Sequence, residues 1–163
     1  MNTIEEQVIT LIHSNKPVKE TDIEALYDQL KPVDIQLFLD QGGSWKPGPF
    51  IETGHPGNDN MKALKWNGKD FESIDHVKPF MYITEEGQRI NNDEIGFAVL
   101  RRMEYRGVVS TAMIYDKQPI IDYFRYVNDD LLLGAMDTKV MPKDDMGTLY
   151  FTIQRFKKVK SEL

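Results

Sequence analysis

Asp122 is the carboxylate whose neighbours best suit it to acid–base chemistry. It lies in Ile120 to Val127, a run rich in β-branched and aromatic residues, where burial would disfavour its ionised form and raise its hold on a proton. Tyr115, across a short connection, could donate to an oxyanion in a proton-shuttling enzyme, or could simply satisfy the carboxylate inside a folded core. Arg125 in the same run offers the planar fork that grips a ligand carboxylate if it points inward. The plainer expectation is that Arg106 and Arg125 pair with Asp116 or Asp122 at the surface.

Only His13, His55 and His76 could supply imidazole. His13 falls at the end of a helix-like stretch, where a cationic ring suits the negative end of the helix dipole. His55, in Gly54-His55-Pro56, sits in a loop, where binding groups concentrate, although shaping that turn is the simpler role. No two histidines have the close spacing of a metal motif, so no metal and no cofactor are expected. Ser44, Ser73, Ser110 and Ser161 lie in no nucleophile-elbow pattern, and no Gly-rich phosphate loop is present.

Composition narrows the classes further. A net charge of -6 opposes binding to a phosphate backbone, and Lys157, Lys158 and Lys160 read as a solvated tail. The absence of cysteine removes disulfides and thiolate chemistry and fits a reducing, cytoplasmic setting. No stretch reaches the ~18 apolar residues of a spanning helix, so no membrane is expected. The partners this leaves are a small hydrophobic or amphipathic molecule and a second copy of the chain in a homodimer.

These side chains need a scaffold. Residues 1–42 read as helical: Thr3 with Glu6 and Thr21 with Glu24 have capping-box spacing. Apolar stripes follow at helical period, Ile4, Val8, Leu11 and Ile12 in one and Ile23, Leu26, Tyr27 and Leu30 in the other. Pro32 could open a third short helix with Val33, Leu37 and Phe38 inward, ended by Gly42-Gly43. Trp66-Asn67-Gly68-Lys69 reads as a hairpin turn or as a helix ending at Gly68.

From residue 94 to 156 the pattern is that of strands: Gly96 to Met103, Val108 to Tyr115, Ile120 to Val127, Leu131 to Asp137 and Thr148 to Phe156. Their short connections demand antiparallel neighbours. If Asp116 to Pro119 is the loop, Met113 opposes Asp122 and Tyr115 opposes Ile120. One face then holds Val109, Thr111, Met113, Tyr115, Asp122, Phe124 and Tyr126, apolar with polar tips, as a ligand pocket requires. Ser110, Ala112, Ile114, Tyr123 and Arg125 form the face expected toward solvent.

The expected fold is mainly β, one domain over residues 1–163, with two or three short N-terminal helices before an antiparallel barrel of about eight strands. A cone of curved sheet wrapped on helices is the alternative.

Gly43-Ser44-Trp45-Lys46-Pro47-Gly48, Thr53-Gly54-His55-Pro56 and Trp66-Asn67-Gly68-Lys69, within residues 43–80, resemble the bacterial GXWXG family. Tyr105-Arg106-Gly107, Tyr115-Asp116, Pro119-Ile120-Ile121-Asp122, Phe124-Arg125 and Leu133-Gly134-Ala135-Met136-Asp137 resemble the domain of unknown function that usually follows it. The resemblance spans about Leu30 to Arg155. It departs at Pro47, with the motif's last glycine displaced to Gly48, and at Asn58-Asp59, where an acidic residue and a glycine are expected.

Gly43-Ser44-Trp45 is also similar to the Gly-X-Trp signature of lipocalin-like, calycin-like barrels. That likeness implies that Trp45 plugs one end beneath Arg155. No histidine follows His76, so a haem held by a C-terminal histidine, as in some such barrels, is excluded. The function expected is non-enzymatic binding of a small hydrophobic or amphipathic ligand. The contact residues expected are Trp45, His55, Thr111, Met113, Tyr115, Asp122, Phe124 and Tyr126, and the alternatives are an Asp122-based enzyme or a structural module.

Overall fold

The computed structural model describes residues 1–14 and 16–156; the lysine-rich run after Phe156 lies outside them. Helix α1, Ile4–Ile12, opens on the expected capping box: the Glu6 amide donates to Thr3 Oγ1 at 3.1 Å, and the Thr3 amide donates to Glu6 at 3.2 Å. Helix α2, Glu20–Gln29, starts before Thr21, so the second box does not form. Glu24 is used elsewhere, accepting the Tyr150 hydroxyl at 3.0 Å. The third helix, α3, is Ile35–Leu39, capped by Asp34 rather than opened at Pro32, because Lys31 is held extended against Tyr126. Among the described residues no helix is long and apolar enough to cross a membrane.

The strands are β1 Ser44–Pro47, β2 Lys69–Ser73, β3 His76–Lys78, β4 Met81–Ile83, β5 Arg89–Asn91, β6 Ala98–Tyr105, β7 Val108–Tyr115, β8 Ile120–Asn128, β9 Leu131–Thr138 and β10 Leu149–Arg155. Eight of them close an antiparallel barrel in the order β1-β10-β9-β8-β7-β6-β3-β2, while β4 and β5 form a separate ribbon. The expected hairpin register holds, with Met113 opposite Asp122. Asn67-Gly68 turns no hairpin. Helix α4, Pro56–Ala63, ends before it, and Gly68 leads into β2 while its carbonyl accepts the Met81 amide at 2.9 Å.

Two glycines of the name motif have steric reasons. Gly43, at φ 72°, lies so near the Phe71 carbonyl that a Cβ would sit 2.1 Å from its oxygen. Gly48 keeps the close approach that Pro47 cannot supply: a Cβ there would meet Thr152 Oγ1 at 2.1 Å.

Alternation along the strands separates two cores. Trp45, Phe71, Leu100, Met113, Phe124, Leu132, Phe151 and Ile153 fill the barrel interior together with Phe38 from α3. Phe38 stacks edge-on against Phe71 and Phe124, at 5.0 and 5.1 Å between ring centres, and Phe124 meets Phe151 at 5.7 Å. The second core lies outside the barrel. Val8 and Ile12 of α1 and Ile23 and Tyr27 of α2 pack on Val127, Leu131, Leu133, Ala135 and Tyr150. Each such side chain, fully buried, contributes roughly 1.5–3 kcal/mol.

The face expected toward solvent is therefore covered. Ser110, Ala112, Tyr123 and Arg125 are buried beneath the helices. Arg125 is 1% exposed and donates to the carbonyls of Tyr27 at 2.9 Å, Leu30 at 3.3 Å and Tyr105 at 3.1 Å. Its guanidinium lies 4.5 Å from the Tyr27 ring centre. Arg106 pairs with Asp28 and Glu24 of α2. Neither arginine meets Asp116 or Asp122, because helix carbonyls and helix carboxylates lie closer to each.

Candidate functional site

One end of the barrel is solid. Trp45 is wholly buried, donates its indole N–H to the Phe38 carbonyl at 3.1 Å, and lies under Arg155, whose guanidinium carbon is 4.3 Å from the ring centre. Arg155 also donates to the carbonyls of Asp40 at 2.7 Å, Leu37 at 3.0 Å and Asp129 at 2.8 Å. The plug is thus tied to the end of α3 and to the β8–β9 turn.

The opposite end is hollow. A cavity of about 210 Å³ opens among α4, the connection before β2, and the ends of β7, β8, β9 and β10. Its walls are mostly apolar, with Met61, Trp66, Phe80, Ile120, Met136 and Phe151 prominent. Three polar side chains converge there: Lys69 from the start of β2, Tyr115 from the end of β7 and Asp122 from β8. Lys69 Nζ lies 3.2 Å from Asp122 Oδ2, 3.2 Å from the Tyr115 hydroxyl and 3.1 Å from the Pro79 carbonyl. The Tyr115 hydroxyl is 3.5 Å from the same carboxylate oxygen. Among the described residues Asp122 Oδ1 accepts no hydrogen bond, yet it is not among the fully enclosed polar atoms without a partner.

Burial sets the electrostatics. Desolvation holds the Lys69 amine below its usual pKa, against the attraction of Asp122. Desolvation likewise raises Asp122, against Lys69 and Tyr115, and pushes the Tyr115 phenol well up. Both members of the ion pair are thus displaced toward their uncharged forms. The rings of Trp66, Tyr115 and Phe151 each lie 5.4 Å from Nζ and partly compensate the lost hydration of the ammonium. A donor amine, a donor phenol and a carboxyl group therefore face one small apolar space, which suffices to orient an oxygen-bearing molecule or to move a proton on it.

Of the side chains expected at the pocket, Tyr115 and Asp122 line it. Met113 and Phe124 face inward but pack in the solid core, and Thr111 donates its hydroxyl to the Val33 carbonyl at 2.7 Å. Tyr126 donates to Asp129 at 2.8 Å, near the plugged end. Trp45 belongs to the plug. Aromatic rings occupy the lower barrel, so inward-facing residues of one strand serve packing at one end and the cavity at the other.

His55 does not line the cavity. It caps α4, its Nδ1 accepting the Gly57 amide at 2.9 Å, and Gly57 forms part of the wall. Burial keeps its pKa below the usual imidazole value, against the Gly147 backbone and Glu20.

Lys69 is the residue that sequence reasoning missed, because it was absorbed into a presumed turn. The available signal was its two-residue spacing from Phe71, which places both on the inward face.

The GXWXG protein family matches residues 25–87, and a domain of unknown function, DUF4334, matches residues 96–155. No functionally curated protein matches the chain. A crystal structure of a protein from Thermomonospora curvata is similar, with 38% sequence identity and a TM-score of 0.83 over 94% of this chain and 99% of that one. The two matched segments interlock, β1 pairing with β10 and β3 with β6, so each supplies part of one barrel wall. The chain belongs to the GXWXG protein family, its barrel completed by the domain of unknown function that follows the motif.

Proposed function

We propose that this protein binds a small, largely apolar molecule in the open end of the barrel, with the ligand's one polar group held against Lys69, Tyr115 and Asp122. The observation that supports this reading is a buried lysine–carboxylate pair bordering a hollow instead of sealed in packed core. A cavity of about 210 Å³ lies below the ~300–1,000 Å³ of drug-sized sites, so the ligand is small. The pair has no net charge, so a ligand carboxylate would bring an uncompensated buried charge. A neutral oxygen, as in a ketone, aldehyde or alcohol, accepts from Lys69 or Tyr115 without that penalty. The cysteine-free composition suits a reducing, cytoplasmic home for such a protein.

Displacement of an apolar fluorophore by a series of small alkyl ketones and alcohols tests the reading, alongside native mass spectrometry of protein from its own host. Stoichiometric displacement, stronger for the oxygenated compounds than for matching alkanes, is the expected outcome. Equal or absent displacement across the series, with empty protein by mass, overturns it.

A second reading, proton transfer on the bound molecule, is favoured by the Asp122 carboxylate, whose Oδ1 accepts no hydrogen bond among the described residues while the Tyr115 hydroxyl lies 3.5 Å from its Oδ2. In that case Asp122 removes a proton next to a carbonyl whose oxygen Tyr115 stabilises. Loss of carbonyl α-hydrogen exchange with deuterated water in Asp122→Asn supports this reading, whereas exchange unchanged by the substitution excludes it.

A further inference from the structure

We propose that Lys69 forms a reversible imine with a small apolar aldehyde or ketone seated in the mouth of the barrel, Asp122 and Tyr115 passing the protons. The proposal rests on the binding reading above and adds a covalent step to it.

A lysine becomes a nucleophile when its amine is uncharged, enclosed by apolar walls and served by an acid. Lys69 meets the last two by its position, and the carboxylate beside it can take the proton that its amine must lose. Trp66 and Phe151 enclose it, Tyr115 and Asp122 stand within hydrogen-bond reach, and the cavity gives a carbonyl carbon access to Nζ. The groups that face Nζ are the Asp122 carboxylate from β8, the Tyr115 phenol from β7, the Pro79 carbonyl before β4, and the Trp66 and Phe151 rings. Asp122 is the one charged group among them. Transfer of one proton from Nζ to Asp122 leaves a free amine and a carboxylic acid side by side, the direction in which burial already displaces both.

The step balances without an outside oxidant or reductant. The Nζ lone pair bonds to the carbonyl carbon while the carbonyl π pair moves to oxygen, which takes a proton from Asp122, directly or through Tyr115. The nitrogen returns a proton to the Asp122 carboxylate. A second protonation of the hydroxyl lets it leave as water while the nitrogen lone pair forms the C=N bond. One amine and one carbonyl give one imine and one water. A buried pair that served only to stabilise the fold would gain little over an apolar replacement, and it would have no reason to border a hollow.

The experiment treats the full chain at neutral pH with hexanal and sodium cyanoborohydride, the latter as hydride donor to the imine. Intact-mass measurement should show one principal addition equal to hexanal less one oxygen atom. Peptide mass mapping should place it on Lys69, labelled at least about tenfold faster than exposed lysines, whose amines stay protonated at that pH. The addition should disappear in Lys69→Arg, which keeps the charge opposite Asp122 but cannot form an imine. Labelling spread over exposed lysines with Lys69 unmodified overturns the proposal, and so does an absence of labelling; both results are read on the unaltered chain. Binding of hexan-1-ol by fluorophore displacement separates the two claims. If the alcohol binds and Lys69 is not labelled, only the covalent step falls; if neither compound enters, the binding reading falls with it.

Discussion

Nζ of Lys69 lies 3.2 Å from Oδ2 of Asp122, and neither side chain is more than 3% exposed, although the two residues belong to segments matched by different families. Breaking such a pair on one side leaves a buried charge without a partner. Asp122→Leu alone should lower stability by about 3–5 kcal/mol, while Lys69→Met with Asp122→Leu should recover most of that loss. Urea denaturation of the two single variants and the double variant measures the coupling. Additive losses would mean that the contact contributes nothing as a pair.

The same pair gives a slope with pH. The folded Lys69 amine has its pKa held below the ordinary value. Between that lowered value and ~10.4 the unfolded chain carries a proton that the folded amine has released, so stability rises with pH across that window. Lys69→Met should lose this rise, seen as a flatter plot of urea midpoint against pH on the alkaline side.

His55 should contribute the matching acid-side effect. Its folded pKa is depressed, so as pH falls below ~6.5 the unfolded chain binds the proton first and stability declines until the folded value is passed. His55→Asn keeps an acceptor for the Gly57 amide and should flatten this decline, whereas His55→Ala should cost about 1 kcal/mol at neutral pH through the lost cap. Thermal melts of both variants across the weakly acidic range separate cap from charge.

Arg155 bridges three backbone carbonyls and the Trp45 ring. Arg155→Met should cost about 3 kcal/mol or more, because those carbonyls lose a charged donor in a buried setting. Near-ultraviolet circular dichroism should also lose part of its tryptophan signal as Trp45 loosens. An unchanged spectrum and midpoint would mean that the plug holds without its cover.

Ile120→Trp should fill the open cavity without disturbing the plug. The expected outcome is loss of ketone and alcohol binding with a stability change of less than about 1 kcal/mol, since Ile120 is only partly buried and borders empty space. Calorimetric titration together with a denaturation midpoint checks both halves of the prediction.

Much of the architecture was legible because strand alternation is a strong local signal. Val108–Tyr115 has the bounds expected of it, and the pairing of Met113 with Asp122 follows from the four-residue loop between the strands. The destination of the helices was not legible. An apolar stripe such as Ile23 and Tyr27 states that it must be covered, but it does not say whether it enters a barrel or lies on its outer wall. Tyr123 and Arg125 misled for the same reason: their polar tips suggested water, whereas they reach helix carbonyls and the stacked ring of Tyr105. For the site, Asp122 and Tyr115 could be named from a long alternating hairpin. Lys69 heads a five-residue strand whose face is marked by the single repeat to Phe71, too brief a signal to outweigh the Asn-Gly pair just before it.

Closure of the eight strands has a consequence for self-association. Every strand in the ring pairs with a neighbour on each side, but β3 meets β6 only where Val77 faces Ala98, so the border of β6 beyond Leu100, which carries Arg101, Arg102 and Glu104, is a stretch of wall without a strand partner among the described residues. The β4–β5 ribbon adds borders of three residues each, too short to seed a stacked aggregate. A second copy that extended the wall by backbone pairing would have to begin on that border of β6, where the charged side chains of Arg101, Arg102 and Glu104 oppose it.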